Sequence, residues 1–211
     1  YKRQAMAFIS GWMVGDVEAG AADLERLLAN MVLDDLGPVD RSLGGLSLIY
    51  AVIGVPEKAQ AFVARYQAEV PSQGDPFGRS QMAVAEAISQ ISRGGSPEEA
   101  GLLTATDLMR CARCRQFYAG HGFELAGETD RAIEAYEAYL QDGFYDGGLF
   151  ELHLPQPVVH ERLGTLYEQA GNAGKAAEHY REFARRWAEA DAPLQARVQR
   201  ALQRAGELEG S

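Results

Sequence analysis

Cysteine is nearly absent from this 211-residue chain: Cys111 and Cys114 are the only two, and two cysteines cannot build a disulfide framework. No run of about 18 uncharged apolar residues occurs, so no membrane-spanning helix is predicted. A basic stretch leading into an apolar one and a cleavage site is missing as well, which makes a cytoplasmic chain the default expectation. Period-two alternation of apolar and polar residues is found nowhere, and its absence argues against a sheet. Positive charge is scarce, with 20 Lys and Arg against 30 Asp and Glu and a net charge of −10. From residue 160 onward the two signs balance at eight each, so the first 159 residues hold twelve basic against twenty-two acidic groups. That acidity would repel a phosphate backbone, which excludes nucleic acid and favours basic or apolar partners.

What is present is apolar mass in helical order. Hydrophobic residues make up 46% of the chain, enough for a continuous core without staples. Segments such as FVARYQAEV (62–70) and AIEAYEAYL (132–140) place apolar residues three and four apart with charges between them, the period of an amphipathic helix.

A unit also recurs. In LGTLYEQAGNAGKAAEHY (163–180), Leu163 and Gly164 are followed by Tyr167, by a Gly171-Asn172 turn, by Ala176 and by Tyr180. Gly120, Phe123, Gly127, Ala132 and Tyr136 reproduce Gly164, Tyr167, Gly171, Ala176 and Tyr180, every member shifted by 44. A third copy reads Leu46, Tyr50, Gly54, Ala59, Val63 and Pro71. Two weaker ones run through Ile91, Gly95 and Ala100, and through Gly11, Gly15, Gly20 and Leu24. The physical logic is that small residues let two helices cross closely while aromatics fill the space beside the crossing. Turn glycines are thus expected at 15, 54, 95, 127 and 171, about 39 residues apart against a nominal 34 for helix-hairpin repeats of this kind. Insertions account for the excess. The largest is DGFYDGGLFELHLPQP (142–157), where Phe144, Tyr145, Phe150 and Leu152 either tuck against the helices or form a contact loop. Residues 192–208 read as a closing amphipathic helix, with Leu194, Val198, Ala201, Leu202 and Ala205 on one face and Arg197, Arg200 and Arg204 on the other.

These offsets resemble the tetratricopeptide repeat, L-G-x2-Y followed by A-x3-F, with His160 where the repeat's Trp would stand. The resemblance is firmest over 113–187. Residues 110–140 and 161–198 further resemble the C-terminal repeat regions of bacterial multidomain signalling proteins that carry kinase or transcription-regulator modules. What this implies is an all-α, TPR-like helical-repeat solenoid over 1–211, of about five helix pairs. Its expected parts are degenerate repeats over 1–108, well-matched repeats over 109–191 and a capping helix over 192–211. The resemblance also implies a peptide or partner protein held in the concave groove formed by the first helix of each pair. The runner-up is a sensory domain that binds a small molecule and regulates an attached effector; an open groove would favour the first reading and a closed apolar cavity the second.

Catalytic signatures are sparse. The CARC motif (111–114) enters a helix with no strand before it, and His121 lies seven residues on, roughly 10 Å along a helix at about 1.5 Å per residue, too far to share a metal with Cys114. Both cysteines therefore read as structural thiols, and no metal or other cofactor is expected. GHGFELAG (120–127) lacks the Lys and Ser/Thr of a phosphate loop. No nucleophile elbow or triad signature surrounds His153, His160 or His179. A non-catalytic interaction module is the expectation. Outward positions of the first helices put Cys114, Phe117, His121 and Glu124 in one row and Glu161, Thr165 and Glu168 in the next. Such a groove would take a ligand bearing Lys or Arg and an apolar anchor.

Overall fold

A computed structural model describes residues 2–71, 74–105, 111–141 and 154–210. Among these there are eleven α-helices and no strand, and no helix is long and apolar enough to cross a membrane. The chain divides into two compact units, Tyr1–Ala126 and Gly127–Ser211. That division falls inside the 109–191 stretch rather than at 108/109, the expected boundary between degenerate and well-matched repeats. Most of the 142–157 insertion, with Phe144, Tyr145, Phe150 and Leu152, lies outside the described residues.

The first unit holds α1 (Lys2–Phe8), which runs into a π-helical turn (Ile9–Met13), and α2 (Val17–Ala29). After two 3-10 turns come α3 (Leu43–Val52), α4 (Pro56–Glu69), α5 (Pro76–Ser92), α6 (Pro97–Leu102) and α7 (Ala112–Leu125). Helices pack as neighbours in sequence, α1 on α2, α3 on α4 and α5 on α6. In addition α1 touches α3, α3 touches α5 and α5 touches α7, so the first helices of successive pairs stack in chain order. The second unit holds α8 (Thr129–Gln141), α9 (Gln156–Gln169), α10 (Ala173–Arg186) and α11 (Ala192–Glu209), with each of α8, α9 and α10 packed on the next.

The turns repeat one local device. Gly15, Gly54, Gly94, Gly127 and Gly171 all have φ between +75° and +89°, a left-handed conformation in which a side chain would be strained. Val55 N–H donates to Tyr50 C=O, Gly95 N–H to Gln90 C=O and Asn172 N–H to Tyr167 C=O, at 2.8 to 2.9 Å, the five-residue closure of a Schellman cap. Four of the five expected turn glycines hold this place. At the remaining turn the left-handed residue is Gly94, and Gly95 follows it as the residue that closes the cap.

Small residues mark the crossings. Ala59, Ala100, Ala132 and Ala176 are fully buried, and a Cβ on Gly164 would lie 2.7 Å from the Tyr180 ring. At the degenerate first copy, a Cβ on Gly20 would lie 2.7 Å from Gly11 Cα. Backbone meets backbone there, so glycine replaces both the aromatic and the alanine of the other copies. We expect Gly164→Leu or Ala176→Leu to lower stability by about 1 to 3 kcal/mol through overpacking, measured by urea unfolding; unchanged midpoints in both variants would contradict the crossing.

The closing helix α11 buries Val198, Ala201 and Ala205 against Ala176, Ala177, Tyr180, Phe183 and Ala184 of α10. Two assignments to its faces need correction. Leu202 is 42% exposed rather than part of the core. Arg197 and Arg204 do not face away from the helix bundle. Arg197 donates to Glu161 at 2.7 Å and Arg204 to Glu168 at 3.0 Å, and the Arg197 guanidinium also sits over the Phe183 and Trp187 rings at 5.6 and 5.5 Å.

Candidate functional site

The chemistry concentrates in the second unit, where α9 and α10 cross. On α9 the apolar positions Val158, Val159, Leu163 and Leu166 are buried, and His160 lies among them. On α10 the Asn172 side chain caps the first turn by accepting Lys175 N–H at 3.1 Å, and Ala176, Ala177, Tyr180 and Phe183 face inward with His179. The close approach allowed by Gly164 and Ala176 brings the two buried histidines together, Nδ1 to Nδ1, at 2.9 Å. Glu137 of α8 completes the group: its Oε1 is 3.2 Å from His179 Nε2 and 2.8 Å from the Tyr167 hydroxyl. The Tyr167 ring stacks on His179 at 5.4 Å, and Lys175 stands over Tyr167 at 5.3 Å.

Hydrogen-bond bookkeeping assigns the protons. A carboxylate only accepts, so the Tyr167 hydroxyl and His179 Nε2–H both donate to Glu137. His179 Nδ1 is then a lone pair that accepts from His160 Nδ1–H, which leaves His160 Nε2 unprotonated. Both rings are neutral. Burial pushes His160 down to about 4, helped by the charge that His179 would carry. Burial also lowers His179, against the opposing pull of Glu137. The Tyr167 hydroxyl is raised to about 12 by burial and by its bond to Glu137. The network is a satisfied polar core that fixes α8, α9 and α10 in register.

Beside it lies an open cleft of about 750 Å³, lined by His160, Gly174, Glu178, His179, Arg181, Glu182, Ala184, Arg185, Leu202 and Glu209. Steps of three and four put Gly174, Glu178, Arg181, Glu182 and Arg185 on one face of α10. Its charges are ordered. Glu182 is held at about 2, chiefly by its hydrogen bond to Arg185 and also by Arg186, and Arg181 bonds Glu209 across to α11. The exposed Leu202 side chain is the apolar point in this charged rim.

The residues expected to line the groove fall differently. In the first unit Phe117 and His121 are buried. Phe117 packs on Trp12 at 5.0 Å and on Phe8 at 6.1 Å, and the Trp12 indole N–H approaches His121 Nδ1 at 3.5 Å. Glu124 is part-buried on the same helix. In the second unit Glu161 and Glu168 are engaged by Arg197 and Arg204, and the pairing with Arg204 holds the Glu168 carboxyl below its usual range. Thr165 Oγ1 lies 3.2 Å from the Tyr180 hydroxyl. Cys114 is not a thiol at all: it is bonded to Cys111, which corrects the expectation of two structural thiols.

No protein-family model, curated protein or solved structure matches the chain.

Proposed function

We propose that the chain is a helical-repeat interaction module of the tetratricopeptide type, which holds a peptide or partner protein rather than turning over a substrate. One observation carries the reading: within the first unit the leading helices α1, α3, α5 and α7 stack in chain order. Each of the five turns between paired helices carries a glycine in the left-handed conformation. Repeated hairpins in register give a preorganised surface, so a ligand binds with little ordering cost to the receptor. A cytoplasmic setting and attachment to a bacterial signalling protein are part of the proposal.

The contact surface that fits best is the cleft on α10 and α11. It is open, its lining is largely charged, and the exposed Leu202 side chain offers an apolar anchor among those charges, a combination found in protein-binding patches. The acidic row of α9 serves a different purpose, because Glu161→Lys would set a second cation against Arg197 and report on stability instead of binding. The cleft volume also lies within the range of small-molecule sites, which keeps the sensory reading as a second proposal. Affinity capture from the native host with the wild-type chain and with Leu202→Asp tests the first. We expect the variant to keep its helical circular dichroism and lose the captured partner. Equal capture by both would reject the cleft, and binding of metabolites without any protein would favour the sensor.

A further inference from the structure

The bonded pair Cys111–Cys114 belongs to the first unit and serves no part of the proposal built on the cleft. We propose that it is a thiol–disulfide redox centre that exchanges two electrons with a dithiol-class reductant.

Position is the first reason. Cys111 is the N-cap of the fourteen-residue helix α7, and its Sγ accepts the Cys114 N–H at 3.1 Å. A thiolate released at Cys111 would therefore sit at the positive end of a helix, already within reach of a backbone donor. The second reason is asymmetric access. Cys111 is part-exposed while Cys114 is buried, so an incoming thiolate reaches the outer sulfur and the inner one is the leaving group. Local charge is the third. The stretch RCARCR (110–115) has three arginines in six residues of a chain with net charge −10, a sequence-local excess of cations of the sign that favours a thiolate over a thiol. Absence of a preceding strand, which argued against this chemistry in the sequence, does not bear on any of the three. A helix N-terminus supplies the same dipole whatever comes before it.

The exchange balances as follows. One thiolate of the dithiol attacks Cys111 Sγ; the new S–S bond forms as the Cys111–Cys114 bond breaks, and Cys114 leaves as a thiolate that takes a proton from water. The second thiol of the reductant, deprotonated, then attacks its own sulfur in the mixed disulfide and expels Cys111. The reductant ends as a disulfide and the protein as a dithiol, with two electrons and two protons transferred.

The test uses the whole chain. Air-oxidised protein is treated with dithiothreitol at pH 7 without denaturant, quenched by alkylation and weighed by mass spectrometry while circular dichroism follows the fold. We expect reduction within minutes with helicity retained, and reoxidation on adding oxidised glutathione. Cys114→Ser should form a mixed disulfide with oxidised glutathione at least about tenfold faster than Cys111→Ser. Three results would overturn the proposal: a bond reduced only once the chain is unfolded, a reduced pair that oxidised glutathione leaves as thiols, or single-cysteine variants of equal reactivity. None of them touches the cleft, so capture by Leu202 and exchange at Cys111 fail separately.

Discussion

Gly44→Ala is expected to destabilise the first unit by about 3 kcal/mol, while Gly45→Ala, one residue along the same helix, should be neutral or slightly stabilising. A Cβ at 44 would stand 2.2 Å from Gly78 C=O oxygen, 2.7 Å from its carbonyl carbon and 2.8 Å from its Cα. Backbone cannot rotate aside as a side chain can. Nor is Gly78 free to shift alone, since its N–H donates to the Asp75 side chain at 2.8 Å in the N-cap of α5, and Tyr66 donates to Asp75 C=O at 2.8 Å. The whole of α5 would have to move away from α3, opening the layer that buries Leu46, Tyr50, Val84 and Ile88. At position 45 the nearest atom is the Gln81 side-chain oxygen at 3.5 Å, a flexible end that yields. There the change keeps only its gain in helix propensity, up to about 1 kcal/mol. Both residues lie in the first turn of α3, so the difference between their urea midpoints isolates the contact. Midpoints that move together would mean that α3 and α5 do not meet at this glycine pair.

Much of this architecture is legible in the residues, because left-handed turns and close crossings need glycine or alanine and little else will serve. Gly15, Gly54, Gly127 and Gly171 were readable for that reason. The shift from Gly95 to Gly94 was not, since two adjacent glycines satisfy the same offset and only the cap hydrogen bonds choose between them. The arginine partners of the part-buried acidic row were hidden by a subtler effect. Glu161 and Glu168 are seven apart, as are Arg197 and Arg204, and each partner lies 36 residues downstream. Equal spacing of opposite charges on two helices is a signal of pairing, but it shows only once α11 is set beside α9. The histidine pair left a fainter trace. His160 stands among Val158, Val159 and Leu163, and His179 follows Ala176 and Ala177 on an inward face, yet nothing in either segment names the other. Trp12 and His121 meet across 109 residues, a separation that no local pattern encodes. The disulfide was missed because context was weighed over spacing: C-x-x-C at the mouth of a helix is sufficient geometry for the bond.

The second unit should lose stability as the pH falls from about 6.5 to about 4, and most of that range lies above about 4.5, where its arginine-paired carboxylates begin to contribute. In the unfolded chain His160 and His179 would titrate near 6.5; in the folded chain burial lowers both, His160 to about 4. Below 6.5 the unfolded state thus takes up protons that the folded state refuses, and the balance moves toward unfolding until the folded value is passed. For His160 the full loss is roughly 3 kcal/mol, and His179 acts in the same direction. Geometry makes the effect cooperative. A proton on His179 Nδ1 would face His160 Nδ1–H at 2.9 Å, turning a hydrogen bond into two opposed donors, so the pair cannot become doubly charged without separating α9 from α10. The Glu137 carboxylate steadies a single charge on His179 but is already shared with the Tyr167 hydroxyl. Carboxylates such as Glu168 and Glu182, held low by arginines, add their own losses only below about 4.5, which separates the two windows. Urea midpoints followed by Trp187 fluorescence, in a Trp12→Phe background, should fall steadily between pH 6.5 and 5 in the wild type. The same curve should be nearly flat in His160→Gln/His179→Gln, where neither side chain can charge. A wild-type midpoint that stays level across this range would mean that the imidazoles accept protons within the fold, and that α9 and α10 do not hold them apart from water as the structure describes.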